Sequence, residues 1–398
     1  MFVSTRLEKL GNFVLEDQEL TSTIVEHDTS GGLKNLLHRQ NFYTVMVFYG
    51  CLRAVLALAS LVAEKITHES SWLTPFAAWD GHWYIQVAKT WYGTSHTIAP
   101  TTTYSAGGFE PGWPLLIKVG TYLGLSGALS AFVMSVVLGG LTVYGLWLLS
   151  VELVGENNSK LATLVVLAFP GSAVVFGIAY SEVLSIGLAA FTLIFALKGK
   201  WLGAALVGVI LTLTSAIAVV IAIPLLVESI IRIRSRRDYK SFIPVVVAPL
   251  GFLGFVLYLG YLSGDLLYWW KLQGQAWGAK VDPIYIFHWV TSFSGSSWGM
   301  YWVAMAGLLL TIVLLWVCIR SPIPLSVKAY CLSIVVMILI NPALGPKPRF
   351  LFWMFPALLC FPLRFKKAWL MAVVTLFAWV LPLLFIAYTT LGNVVAQP

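Results

Sequence analysis

The sequence predicts an all-α, polytopic membrane protein, and three observations carry that prediction. Of 398 residues, 59% are hydrophobic and only 11% charged, with a mean hydropathy of +0.85, whereas soluble domains carry about 25% charged residues. Apolar runs recur along nearly the whole chain, many near the roughly 20 residues that a helix needs to cross hydrocarbon. These runs are continuous and lack the ten-residue alternation of outer-membrane barrel strands. A soluble enzyme, a nucleic-acid binder and a secreted disulfide scaffold are excluded. The net charge of +8 sets orientation in the membrane and does not mark a nucleic-acid partner. Cys51, Cys318, Cys331 and Cys360 all lie within apolar runs and read as small buried hydrophobes.

Residues 1 to 40 are polar and of mixed charge, so they read as a cytoplasmic tail, and they lack the basic start, short apolar stretch and cleavage site of a signal peptide. Residues 41 to 398 form the transmembrane domain. The first span is expected at 42–63. A long loop rich in Trp, Tyr, Thr and Pro follows at 64–125. Further spans are expected at 127–152, 161–180, 182–197, 201–215, 216–231, 241–262, 298–319, 329–345, 350–363 and 368–390, eleven in all. With the N-terminus in the cytoplasm, the inner loops hold thirteen Lys and Arg and the outer segments seven, over longer loops. This obeys the positive-inside rule. It places the loops 64–125 and 263–297 and the turn from Pro342 to Arg349 together on the extracytoplasmic side. The basic run Arg232 to Lys240 then faces the cytoplasm as an anchor to anionic headgroups. The Asn157-Asn158-Ser159 sequon faces the same way and escapes glycosylation. No internal repeat, heptad or low-complexity segment is evident.

Chemistry-bearing residues crowd the outer loops. In the stretch that begins Trp79-Asp80-Gly81-His82-Trp83-Tyr84, positions 84, 87, 88 and 91 are apolar or aromatic at helical spacing. An interfacial amphipathic helix is expected there, with Asp80 at its N-terminus. Asp80 has two readings: a helix N-cap worth about 1 kcal/mol, or a general base for a lipid-borne hydroxyl, with Trp79, His82 and Trp83 around it. Phe109-Glu110-Pro111-Gly112-Trp113-Pro114 opens a second interfacial helix, with Pro111 in its first turn. Glu110 either favours that helix's N-terminus or serves as a second catalytic carboxylate. The run from Ser263 to Gly278 offers Asp265, Gln275 and Trp277 among aromatic residues, suited equally to stacking on sugar rings and to an interfacial belt. Lys347-Pro348-Arg349 sets two cations at the outer end of a span, where a lipid phosphate is a natural partner and snorkelling is the plainer reading. Within the apolar runs, Glu152 and Glu228 lie near cytoplasmic ends. Glu182 follows Ala179-Tyr180-Ser181 at an outer end, where it either faces the same compartment as Asp80 or pairs with Arg53.

These residues carry a resemblance. Trp79-Asp80-Gly81-His82-Trp83-Tyr84 with Ala88 resembles the Trp-Asp-x-x-Trp-Tyr-x-x-x-Ala motif of PIG-V-like mannosyltransferases. Phe109-Glu110-Pro111-Gly112-Trp113-Pro114-Leu115-Leu116 is similar to the family's Phe-Phe-Pro-Leu-Tyr-Pro-Leu-Leu segment. Phe169-Pro170 with Tyr180-Ser181-Glu182, Gly264-Asp265 with Gln275-Ala276-Trp277-Gly278, and Pro348-Arg349-Phe350-Leu351 with Phe355-Pro356 resemble later stretches, in the same order over roughly residues 45 to 360. The resemblance implies a GT-C fold and an inverting glycosyltransferase. Such an enzyme takes a sugar, usually mannose, from a polyprenyl-phosphate donor to a lipid or glycan acceptor on the outer face of, here, a bacterial plasma membrane. It gives Asp80 the place of the base. His82, Trp79, Trp83, Tyr180, Glu182, Asp265, Gln275, Trp277, Lys347 and Arg349 become expected substrate contacts, with the two cations on the leaving phosphate. The donor carries its own leaving group, so no cofactor is expected and a divalent metal is left open. Membrane lipids are the other partners, and no nucleic acid is expected. Two departures stand out: Glu110 replaces an aromatic residue, and Thr214-Ser215-Ala216 stands where many members have an Arg-containing turn. A non-catalytic glycolipid flippase or scramblase is the competing reading. A secondary transporter fits worse, because paired repeats with broken helices near mid-membrane are not apparent.

Overall fold

The computed structural model describes residues 27–92, 106–291 and 298–391. The chain divides after Val47 into two units. The first contributes the opening of helix α1 (His27–Thr67), and every side-chain contact below lies in the second, from Phe48 onward. Among the described residues the regular elements are all helical. After α1 come the short α2 (Leu73–Phe76), α3 (Asp80–Thr90), a 3-10 turn (Ala106–Gly108), α4 (Gly112–Tyr122), α5 (Gly127–Val154), α6 (Glu156–Ala168), α7 (Ser172–Val175), α8 (Glu182–Leu197) and α9 (Trp201–Thr212). A 3-10 turn (Ala216–Ile221) leads into α10 (Ala222–Arg236). Then follow α11 (Ile243–Val247), α12 (Leu250–Ser263), α13 (Tyr268–Trp277), α14 (Tyr285–Thr291), α15 (Trp298–Arg320), α16 (Leu325–Ile340), α17 (Pro348–Leu351), α18 (Phe355–Leu359) and α19 (Lys367–Thr390).

Among the described residues, five helical stretches are long and apolar enough to cross a membrane: Arg39–Thr67, Gly127–Val154, Ala216–Arg236, Tyr239–Ser263 and Lys367–Thr390. Five shorter apolar helices accompany them, and the protein is an integral, multi-pass membrane protein. Small residues bring the central helices together, as they do where helices pack in lipid. Gly187 of α8 lies so close to Thr142 of α5 that a Cβ there would meet the threonine side chain and backbone, and the Thr142 hydroxyl donates to the Val183 carbonyl at 2.5 Å.

Several expected spans are not single α-helices: 216–231 opens as a 3-10 turn, 241–262 turns between α11 and α12, and two others are interrupted further. The stretch 161–180 ends as α6 at Ala168, because Pro170 cannot continue the hydrogen-bond ladder, and runs on through α7 to Tyr180 as irregular backbone. The stretch 350–363 is split among α17, α18 and 3-10 turns around Pro348, Pro356 and Pro362. Irregular backbone survives at membrane depth only where protein buries it, and these two segments are buried against each other: Phe352 meets Phe169 and Phe176 at ring distances of 6.0 and 6.1 Å. Gly171 is the closest point. A Cβ on it would collide with the Pro348 carbonyl.

Candidate active site

A strained turn delivers Asp80. Trp79 sits at φ 55°, ψ −129°, a conformation that costs a residue with a side chain on the order of 1–3 kcal/mol. Its indole Nε1 donates to the Tyr388 carbonyl at 3.0 Å, which ties the turn to α19. Helix α3 begins at Asp80 itself and has no side-chain cap, so the N-cap reading of Asp80 does not hold. Its Oδ2 accepts a hydrogen bond from Nη1 of Arg349 at 2.6 Å instead. Asp80 is N1 rather than N-cap, one position too late to cap α3.

Arg349 opens the α17 turn after Pro348, and three groups fix it. Nε donates to Glu182 Oε1 at 2.5 Å, Nη1 to Asp80, and the guanidinium lies over the Tyr180 ring, 4.1 Å from its centroid. Glu182 therefore pairs with Arg349 and not with Arg53, which bonds through Nη2 to Ser135 Oγ at 2.7 Å. Exposure separates the two carboxylates: the Asp80 side chain keeps 23% of its surface, that of Glu182 only 2%. Asp80 can meet a substrate. Glu182 is sealed, and its Oε2 has no hydrogen-bond partner among the described residues.

The segment Ile178 to Glu182 is clamped between α3 and α4. Gly81 lets α3 approach, since a Cβ there would lie 3.2 Å from that of Ala179. Tyr84 and Ser181 share a hydroxyl–hydroxyl bond of 2.8 Å, and Trp113 Nε1 donates to the Ala179 carbonyl at 3.0 Å. Tyr84, Trp113, Ser181 and Tyr388 support the site; the first three stood in the motifs without a site role, and Tyr388 lay outside them, an aromatic residue with a polar tip being the available signal.

Glu110 is buried beside this cluster. Its carboxyl accepts from its own backbone amide and from that of Ala216, while Oε1 has no partner among the described residues. Burial raises its pKa to about 8. Gly112 N–H donates to the Leu213 carbonyl at 2.8 Å, so the turn at Thr214-Ser215-Ala216 lies against Glu110. The two departures from the PIG-V-like pattern thus meet in space. Lys347 forms no ion pair among the described residues. Burial, and secondarily the Arg349 charge, bring it down to about 8.

The remaining expected residues are scattered. Trp83 stacks on Phe109, 6.1 Å between rings, and Trp277 meets the same Phe109 edge-on at 5.4 Å. Together they wall the Glu110 side. His82 is exposed and lines a cavity of about 560 Å³ with Glu69, Thr74, Ala78, Ser126 and Thr389. Asp265 is bound to Lys271 at 2.6 Å, which holds its carboxyl below the usual range, and takes no part in the cluster. Gln275 is exposed, whereas Gln273, not anticipated, donates to the Gly108 carbonyl at 3.0 Å. Among the described residues no group of three His, Cys, Asp or Glu side chains could hold a metal ion.

No protein-family model matches this chain, and no curated protein does. Among solved structures, ArnT from Cupriavidus metallidurans bound to undecaprenyl phosphate aligns with a TM-score of 0.53 at 13% identity, over 84% of this chain and 77% of that one. The chain shares the ArnT fold. ArnT in the apo state aligns similarly, with a TM-score of 0.52 at 13% identity over 78% and 72% of the two chains. The all-helical, multi-span architecture expected from the sequence is thus shared with ArnT, and at this identity the likeness concerns the fold alone.

Proposed function

We propose that this protein is an inverting membrane glycosyltransferase that takes a sugar from a polyprenyl-phosphate donor, on the extracytoplasmic face, to a hydroxyl of a lipid-linked or cell-envelope acceptor. The observation that carries the reading is the Asp80–Arg349–Glu182 group: a partly exposed carboxylate and a guanidinium held by a sealed one, with the unpaired Lys347 beside them. The motifs resembling PIG-V-like enzymes favour mannose as the sugar. The fold shared with a protein that binds undecaprenyl phosphate supports a polyprenyl-phosphate donor.

The chemistry follows from the groups present. The acceptor oxygen attacks the anomeric carbon from the face opposite the phosphate, its proton passes to Asp80, and the C1–O bond breaks with its electron pair going to the departing polyprenyl phosphate. One displacement inverts the anomeric centre. Lys347 and the Arg349 amino groups neutralise the charge that develops on the leaving oxygen. Glu110, buried and held protonated near neutral pH, is not placed to take the proton. A positioned base contributes about 10² to 10⁴ fold. Asp80→Asn, similar in shape, should remain folded and transfer sugar from a labelled polyprenyl-phosphate donor at least about 10² fold more slowly. Wild-type transfer rates in that variant would remove Asp80 from the role of base, and only normal transfer by Glu110→Gln as well would remove the first loop from the chemistry. Movement of the labelled donor across the bilayer with no covalent transfer would favour the flippase reading.

A further inference from the structure

The Arg349 guanidinium has little freedom. Glu182 holds Nε at 2.5 Å, and the Tyr180 ring lies beneath its plane at 4.1 Å. What remains is the edge formed by Nη1 and Nη2. Asp80 occupies Nη1 at 2.6 Å, and Nη2 has no acceptor among the described residues. A phosphate recognised in the planar, two-pronged way that guanidinium favours needs both amino groups. Nη1 carries two N–H bonds and Asp80 takes one of them, so a phosphate approaching in the plane shares Nη1 with the Asp80 carboxylate and the two anions crowd each other there.

We propose that Asp80 and the donor phosphate compete for Arg349: the incoming phosphate takes over Nη1 and releases the Asp80 carboxylate as a free base, while Glu182 acts as the positioning residue that keeps Arg349 in place throughout. This rests on the polyprenyl-phosphate reading above. Its consequence is an order of events. Without donor, the carboxylate that would deprotonate the acceptor is engaged by the guanidinium, and arrival of the donor disengages it. Glu182 suits the anchoring role because its side chain is 2% exposed and out of reach of substrate.

The test is binding, not turnover. The full chain in lipid nanodiscs is titrated with undecaprenyl phosphate, for wild type, Asp80→Asn and Glu182→Gln, with a thermal melt of each to establish folding. Competition predicts that Asp80→Asn binds about tenfold tighter, the scale of one charge-assisted hydrogen bond no longer in contention. Glu182→Gln should bind no tighter than wild type, because Glu182 anchors Nε and does not occupy the phosphate edge. A charge effect alone predicts that both variants tighten alike, since each removes one negative charge beside Arg349, and that result would overturn the proposal. So would unchanged or weaker binding by a folded Asp80→Asn. If wild type binds no undecaprenyl phosphate while remaining folded, the donor reading itself falls and the competition with it. If wild type binds and the variants fail to diverge, only the competition falls.

Discussion

Asp80, Glu182 and Glu110 bring three carboxyl groups to two cations, Arg349 and Lys347, so full ionisation would leave the cluster one negative charge in excess before the proposed anionic donor arrives. Burial of Glu110 averts this by pushing its carboxyl up to about 8. Between the ordinary value of 4.5 and about 8 the unfolded chain gives up a proton that the folded one retains. Wild-type stability therefore falls as pH rises through that window. Glu110→Gln has no such proton, so it should melt above wild type near pH 8, with the gap closing toward pH 5 in paired thermal scans. Lys347 is the second titratable control. Its ammonium, brought down to about 8, should make the apparent donor KM rise as pH passes upward through that value, while Lys347→Arg flattens the profile because guanidinium stays charged. Asp80, Tyr180, Glu182 and Arg349 were legible one by one, as polar groups where the membrane disfavours them. Their pairing was not, since Arg349 and Asp80 lie 269 positions apart and no local pattern encodes a contact at that separation.

Hydropathy gives the long helices well and the interrupted ones poorly. A buried apolar run has the same composition whether its backbone is helical or irregular, so 161–180 and 350–363 read as spans. Their prolines were the signal of interruption. The interruptions matter because Tyr180 and Arg349 sit on or beside irregular backbone, where side chains are aimed by tight local contacts and not by a helical repeat. Gly171→Ala should therefore push α17 away from the chain at Phe169–Ser172. Overpacking of this kind costs about 1–3 kcal/mol, visible as a lower melting temperature, and the displacement of Arg349 should weaken donor binding as well.

Across the whole chain, the distribution of Lys and Arg predicts that Glu69 and Ser235 lie on opposite sides of the membrane. Single cysteines at these two exposed positions, in a Cys51→Ala background, should differ in intact cells: an impermeant thiol reagent should label position 69 and not 235. The reverse pattern would invert the orientation and move the site to the cytoplasm. The indole of Trp79 adds a matter of timing, for it is clasped by the carbonyl of Tyr388 in the final described helix. Tyr388 follows Trp79 by 309 positions, so the ribosome makes all of the intervening chain before that partner exists. Until α19 is in place the turn before Asp80 lacks this clasp, so chains cut before Lys367 should insert in the membrane yet capture no undecaprenyl phosphate.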